Sequence, residues 1–102
     1  MGSPLYGRLV LDGELIAGSY EAGSLLWSAE GRRLAAQELV AWMDSPTTRA
    51  VVFDTERRTL VGASPARRGL STPLRFEPGA LVYRRWNEHV GDQELRLSLD
   101  GD

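Results

Sequence analysis

The order of apolar and polar residues at the start of the chain predicts a β-hairpin. Leu5 to Leu11 has the composition of a strand, Asp12-Gly13 is a strong signal for a two-residue turn, and Glu14 to Ser19 forms the return strand. This register pairs apolar residues on both faces, Leu9 with Ile16 and Val10 with Leu15. Since both faces are apolar, we expect the hairpin to lie centrally in a sheet rather than at its edge.

The apolar period changes to that of a helix in the next segment. Ser28 is a candidate N-cap, Glu30 places a negative charge in the first turn, and Asp44-Ser45-Pro46 ends the pattern. The apolar stripe consists of Leu34, Ala35, Leu39, Trp42 and Met43. The sequence therefore predicts one amphipathic helix over residues 29–43, which covers one face of the sheet.

Strand-like runs return after the predicted helix. Ala50 to Phe53 and Thr59 to Ala63 flank a polar turn, which predicts a second hairpin. Its sequence resembles that of the first hairpin, so that a duplicated unit and simple convergence both remain open. Residues 64–73, with Pro65, Gly69 and Pro73, read as a loop.

The C-terminal third predicts a three-stranded meander, and the turn at Gly91 decides which side chains share a face. A two-residue loop would place Leu97 opposite Trp86. A loop of odd length with a bulge at Gly91 would instead keep the leucines of the last strand with Leu81 and Tyr83. We expect the odd-length loop. The outer face then carries Arg75, Arg84, Arg96 and Trp86, which we call the arginine face.

These elements together predict an α+β domain. It has a mostly antiparallel sheet of about six or seven short strands, built from hairpins and the C-terminal meander, with the helix packed on one face. The sheet could curl into a partial barrel; the alternative is a two-layer sandwich with the helix at its edge. Residues 1–102 are expected to form one compact domain, with Met1-Gly2-Ser3 resembling a cloning remnant and residues 100–102 a frayed tail.

The charge distribution suggests a partner-binding region in the middle of the chain. The net charge is −2 and all 12 basic residues are arginine, yet the block from Arg57 to Trp86 contains seven arginines and one acid, Glu77. Codon bias in a GC-rich genome explains the absence of lysine better than selection for planar recognition of phosphate or carboxylate does. Codon bias does not explain why the arginines cluster.

The arginine face is the first candidate binding surface. A tryptophan among arginines can stack on a nucleobase or anchor a protein partner. The alternative is that the fold covers Trp86 and that arginine side chains pack around it. The other large aromatic residues, including Trp27 and Trp42, are interpreted as core or core-margin residues.

The segment before the meander is the second candidate, as an anion-binding loop. Arg67, Arg68, Ser71 and Thr72 offer two guanidinium groups and two hydroxyls that could hold a phosphate. The alternative is a solvated loop, since the spacing differs from that of a phosphate-binding P-loop.

Catalytic and metal chemistry find little support in the sequence. His89 is the single histidine, and with Glu88 and Asp92 it offers too few ligands for a typical metal site. We therefore predict no catalytic residues, no metal and no cofactor. The chain has no cysteine, no apolar run of membrane-spanning length and no visible signal peptide, so we expect a cytoplasmic protein without a membrane partner.

The combined evidence favours a small non-enzymatic protein-interaction module: a regulator, an adaptor or a subunit of an assembly. It would use the arginine face for an acidic partner or for self-association. The alternative is a nucleic-acid-binding module that uses the same surface, although an overall acidic chain is unusual for that class. An enzyme is the least favoured of the three classes.

Overall fold

The structure, a computed structural model, describes residues 6–11 and 13–99. Regular structure in these residues is almost entirely β, with a single 3₁₀ turn at Ala22–Ser24. The strands are β1 (Tyr6–Leu11), β2 (Glu14–Glu21), β3 (Leu26–Trp27), β4 (Arg33–Trp42), β5 (Pro46–Asp54), β6 (Thr59–Ala63), β7 (Arg67–Arg68), β8 (Leu70–Glu77), β9 (Ala80–Asn87) and β10 (Gly91–Ser98). The predictions for Leu5, for Asp12 and for both chain ends lie outside the described residues.

The strands form two antiparallel sheets. The larger sheet has seven strands, in the order β1-β2-β4-β5-β6, with β3 paired to β4 and β7 paired to β5. The smaller sheet has the order β10-β9-β8. The short strand β7 and the residue after it carry the chain from the larger sheet into the smaller one.

The predicted helix over residues 29–43 does not form, so the α+β prediction is wrong and the described chain is a two-sheet β fold. This segment becomes β4 after a tight turn. The predicted N-cap Ser28 closes that turn: its hydroxyl accepts a hydrogen bond from the N–H of Arg33 (3.0 Å), and its carbonyl accepts one from Gly31 (2.9 Å). The capping chemistry is thus used to start a strand.

The position of β4 explains why its sequence resembles a helix. Leu34 and Ala36 face one apolar core, while Ala35 faces the other. A strand buried on both faces has consecutive apolar residues rather than an alternating pattern, and such a run is hard to distinguish from a helical stripe. The alanine, leucine and glutamate residues of the segment favour a helix locally, but burial between two cores outweighs that preference.

Two apolar cores lie on the opposite faces of β4 and β5. Their buried members are Leu9, Leu11, Tyr20, Leu34, Ala36, Val51 and Phe53 in the first core, and Ala35, Ala50, Val52, Leu81, Tyr83 and Leu99 in the second. The β1–β2 hairpin thus covers the first core, and the smaller sheet covers the second core. Arg58 in the β5–β6 turn lies 2.9 Å from Glu14 of β2. Opposite ends of the larger sheet therefore approach one another, and this sheet is strongly curled.

The first hairpin has the predicted register but not the predicted position. Leu9 pairs with Ile16 and Val10 pairs with Leu15, as expected. The hairpin nevertheless forms the edge of the sheet, and Val10 and Leu15 are 56% and 51% exposed. Two apolar faces therefore do not require a central place in the sheet, because the outward-facing pair here stays in contact with solvent.

The C-terminal meander forms as predicted, with two differences. Gly91 has a φ of 83° and pairs with Asn87, which leaves a turn of odd length and places Leu95 beside Tyr83. Leu74 forms a bulge, however, so that the expected pairing of Leu74 with Tyr83 is wrong. The loop predicted over residues 64–73 is also shorter than expected, because β8 already begins at Leu70. Within the described residues, no helix is long and apolar enough to cross a membrane.

Candidate functional site

The smaller sheet brings the four residues of the arginine face to the side that points away from the larger sheet. Leu81 and Tyr83 of β9 pack in the second core, so the alternate residues of that strand point outward. Arg75 of β8 and Arg96 of β10 both pair with Val82, at the centre of this outer side. Arg84 and Trp86 follow Val82 at successive alternate positions of β9.

Each arginine of this face is paired with a carboxylate. Arg75 Nε lies 3.0 Å from Glu77 and its Nη2 lies 2.9 Å from Glu94. Arg84 Nε lies 2.8 Å from Asp92, and Arg96 contacts Glu77. The face therefore carries equal numbers of positive and negative charges, because β10 brings two acids beside the arginines. The block counted along the sequence is basic, but on the arginine face the three guanidinium groups are balanced by three carboxylates.

Two of these ion pairs join the outer strands of the sheet across its central strand. The Arg75–Glu94 and Arg96–Glu77 pairs both link β8 to β10 over Val82, which is 2% exposed. Hydrogen bonds from Arg96 and Arg75 lower the pKa of Glu77, and bonds to Glu94 and Glu77 raise the pKa of Arg75. An acidic partner would have to displace these carboxylates before it reached the guanidinium groups.

The four residues of the predicted anion-binding loop are not brought together. Arg67 and Arg68 form β7 on the larger sheet, and both are exposed. Ser71 is in β8, 2% exposed, and points into the protein, while Thr72 on the opposite face pairs with Arg84. Alternation along β8 thus directs the two hydroxyls to opposite sides of the sheet.

Ser71 belongs to a buried polar network between the two sheets. Its backbone N–H donates a hydrogen bond of 2.6 Å to Oε1 of Gln37. The hydroxyl of Thr48 donates to the carbonyl of Gly69 (2.7 Å) and lies 3.1 Å from the hydroxyl of Ser71. Because buried polar groups need partners, this network fixes how β8 leaves the larger sheet. Its groups are already satisfied within the protein.

A cleft of about 570 Å³ lies between the β4–β5 turn and the β9–β10 turn, and we call it the tryptophan cleft. Its apolar lining consists of Trp42, Pro46, Leu70, Trp86 and Val90. Its charged or titratable lining consists of Asp44, Arg68, Glu88 and His89. Small-molecule and peptide sites commonly combine such an apolar wall with a few polar groups. Because it combines both kinds of lining, we take this cleft as the candidate site.

The tryptophans of the protein are unusually open to solvent for so small a domain. Trp42 is 51% exposed and Trp86 is 40% exposed, although a tryptophan is among the most effective residues for building a core. Trp27, which lies outside the cleft, is also 51% exposed. Trp27 and Trp42, which were expected to be core or core-margin residues, therefore lie outside both apolar cores, and the fold leaves 40% of Trp86 exposed.

Two local features shape the walls of the tryptophan cleft. Gly69 has a φ of 104°, and a Cβ at this position would lie 2.0 Å from the carbonyl oxygen of Trp86. Only glycine allows the backbones of β8 and β9 to approach so closely here. Next to this contact, Oδ1 of Asn87 accepts hydrogen bonds from the N–H groups of His89 and Val90, both at 2.8 Å. This local turn orients the β9–β10 loop along the cleft.

His89 lies at the edge of the cleft without a cluster of metal ligands. Glu88 is its neighbour in the β9–β10 turn, but Asp92 is engaged by Arg84. Over residues 6–11 and 13–99, no group of three or more histidine or carboxylate side chains is placed to hold a metal ion.

Comparison of the chain with models of protein families, with curated proteins and with solved structures gives no match. Any assignment of function therefore depends on the residues and geometry of this chain alone.

Sequence reasoning named Trp86 as a candidate binding residue but not Trp42, which also lines the tryptophan cleft. Trp86 was a candidate because it lies among arginines, whereas Trp42 was assigned to the buried stripe of a helix. The available signal was the run from Asp44 to Pro46, which can form the turn of a hairpin as readily as the end of a helix. The β-branched residues that follow it in β5 favour the hairpin interpretation.

Proposed function

We propose that this domain is a non-enzymatic protein-interaction module that binds a short segment of a partner protein in the tryptophan cleft. The observation that carries the proposal is the exposure of Trp42 and Trp86 in one cleft of about 570 Å³. Leaving large aromatic side chains half exposed sacrifices core stability, which favours a use for them at the surface. The sequence also favours a protein-interaction module, but the binding surface proposed here is the tryptophan cleft rather than the arginine face.

The composition of the cleft supports a protein ligand. Tryptophan is enriched among the residues that contribute most to protein–protein binding, especially where it is surrounded by other apolar groups. Leu70, Pro46 and Val90 supply such surroundings here. These residues are held by hairpin turns and by the connection from β7 to β8. The site is therefore largely formed before a partner arrives, which lowers the entropic cost of binding.

The arginine face is a weaker basis for the proposal. Its three guanidinium groups are already bound to Glu77, Asp92 and Glu94, so contact with an acidic partner or a nucleic acid would cost existing ion pairs. Trp86 is shared by both surfaces, and we retain it in the proposed site. The cytoplasm is part of this proposal as the place of action, since a chain without cysteine suits a reducing compartment.

Selection from a displayed library of random short peptides tests the proposed function. We expect the protein to enrich a family of related peptides, whose synthetic copies shift the tryptophan fluorescence on binding. Trp42→Ala and Trp86→Ala should each weaken binding by at least about tenfold, as expected for central aromatic residues of an interface.

Trp27→Ala is the matched control, because Trp27 is as exposed as Trp42 but does not line the cleft. It should leave peptide binding unchanged. The proposal fails if no peptide family is enriched, or if the enriched peptides bind Trp42→Ala and Trp86→Ala as tightly as the unmodified protein. Circular dichroism of each variant establishes that it remains folded.

A further inference from the structure

Asp44 and Glu88 differ from every other carboxylate in the part of the chain that the structure describes. The others form an ion pair or accept a hydrogen bond, as Glu38 does from Arg49 (2.6 Å) and Glu14 does from Arg58 (2.9 Å). Asp44 and Glu88 have no such partner, and both line the tryptophan cleft. The two unengaged negative charges of the described chain are therefore found at the one site with two exposed tryptophans.

The remaining charges of the cleft do not cancel this pair. Arg68 is at the cleft, and its Nε donates a hydrogen bond of 3.2 Å to the hydroxyl of Ser45. His89 also lines the cleft. With neutral histidine the lining has two carboxylates and one guanidinium group, so its net charge is negative. An acidic segment would be repelled, which is the opposite of the preference predicted for the arginine face.

We propose that the tryptophan cleft selects a peptide segment with an arginine or lysine side chain flanked by apolar residues. The cation would lie against an indole ring of Trp42 or Trp86, since tryptophan is the aromatic residue that best attracts a cation. Asp44 and Glu88 would pair with the same cation, while Leu70 contacts its apolar neighbours. This inference rests on the proposed function and adds the chemical class of the ligand.

Displayed peptide libraries with one fixed central residue test this selectivity. Four libraries carry arginine, lysine, glutamine or glutamate at that position and are random elsewhere. We expect enrichment from the arginine and lysine libraries, weak enrichment with glutamine and none with glutamate. The comparison of arginine with lysine establishes which cation is preferred, since a planar guanidinium stacks on an indole more effectively than an ammonium does.

Variants of the two carboxylates connect the preference to the cleft. Asp44→Asn and Glu88→Gln should each weaken binding of a selected basic peptide by about two- to fivefold, which is the upper part of the range for an exposed ion pair. Added salt should weaken binding to the unmodified protein more than binding to the double variant. Glu56→Gln is the control, because Glu56 is an exposed carboxylate outside the cleft, and it should have no effect.

The outcomes separate this inference from the proposed function. If peptides bind in a manner that depends on Trp42 and Trp86 but with no preference for a basic residue, the inference is wrong and the proposed function stands. The same holds if the Asp44 and Glu88 variants bind basic peptides as well as the unmodified protein does. If no peptide binding depends on the two tryptophans, both proposals are wrong.

Discussion

The side-chain carbonyl of Gln37 in β4 accepts a 2.6 Å hydrogen bond from the backbone N–H of Ser71 in β8, and this bond joins the two sheets inside the protein. Gln37 is 1% exposed and Ser71 is 2% exposed, so water cannot readily take the place of either group. The contact holds the start of β8 against β4, close to the connection from β7 to β8 that lines the tryptophan cleft.

Replacing Gln37 by a residue without a strong acceptor should destabilise the protein. Gln37→Met keeps an unbranched side chain of similar length but leaves the N–H of Ser71 buried and unpaired. We expect the free energy of unfolding to fall by about 1–3 kcal/mol, the cost of such an unsatisfied group. Urea denaturation measures the change. Gln93→Met, at an exposed position of β10, is the control and should change stability by less than about 0.5 kcal/mol.

Gly69 should tolerate no side chain, because two separate costs apply there. Its φ of 104° is unfavourable for other residues, and a Cβ would lie 2.0 Å from the carbonyl oxygen of Trp86. Gly69→Ala should therefore lower the free energy of unfolding by about 2–6 kcal/mol, the sum of backbone strain and overpacking. It should also weaken peptide binding, since relief of the overlap separates β8 from β9 beside the cleft.

Gly31→Ala distinguishes the two costs. Gly31 also has a positive φ, 75°, but a Cβ at this position meets nothing within 4 Å. Only the conformational cost of about 1–2 kcal/mol should remain. Equal losses of stability for the two variants, measured by urea denaturation, would show that the close approach of β8 and β9 contributes nothing.

The parts of this fold that the sequence predicts correctly are those set by local turn chemistry. Gly91 and the alternating leucines of β10 are sufficient to predict how β10 pairs with β9. The Asp12-Gly13 signal in the sequence likewise predicts the pairing of Leu9 with Ile16. The segment that becomes β4 is different, because its conformation depends on two cores built from distant strands. No periodicity within residues 33–42 indicates that Leu34 to Gln37 are buried on both faces of the strand.

The net charge of the arginine face likewise depends on contacts between residues that are distant in the sequence. Arg75 and Glu94 lie on strands that are separated by β9. Because Glu94 lies outside residues 57–86, a count of the charges in that block leaves out the acid that pairs with Arg75. The arginine clustering is visible in the sequence, but the pairing of Arg75, Arg84 and Arg96 with carboxylates depends on the order of three strands. Trp42 was missed for a related reason, because its exposure follows from the hairpin that replaces the predicted helix.

Glu77 should make the stability of the protein sensitive to acid. Hydrogen bonds from Arg96 and Arg75 lower its pKa in the folded state relative to the unfolded state. A carboxyl group with a lowered folded pKa contributes stability above its unfolded pKa, and this contribution is lost as the pH falls through the folded value. Glu77→Gln should therefore be less stable than the unmodified protein near neutral pH, with a difference that disappears in acid.

Urea denaturation at a series of pH values measures this difference, and a carboxyl-detected NMR titration measures the pKa of Glu77 itself. The double variant Arg75→Gln/Arg96→Gln should return that pKa toward its ordinary value, because it removes both donors. Glu56→Gln provides a comparison at an exposed site with a long 3.6 Å contact to Arg32. A stability difference for Glu77→Gln that is independent of pH would contradict the proposed role of the ion pairs.

The arginine face and the tryptophan cleft should respond differently to nucleic acid, and this contrast tests which surface binds a partner. Because the guanidinium groups of Arg75, Arg84 and Arg96 are occupied, we expect no saturable binding of a long single-stranded oligonucleotide at physiological ionic strength. Binding measured by fluorescence anisotropy that weakens steeply with salt, and that has a smaller salt dependence in Arg84→Ala, would instead support the nucleic-acid alternative. Arg84→Ala should leave selected peptides bound as tightly as before, since Arg84 does not line the cleft.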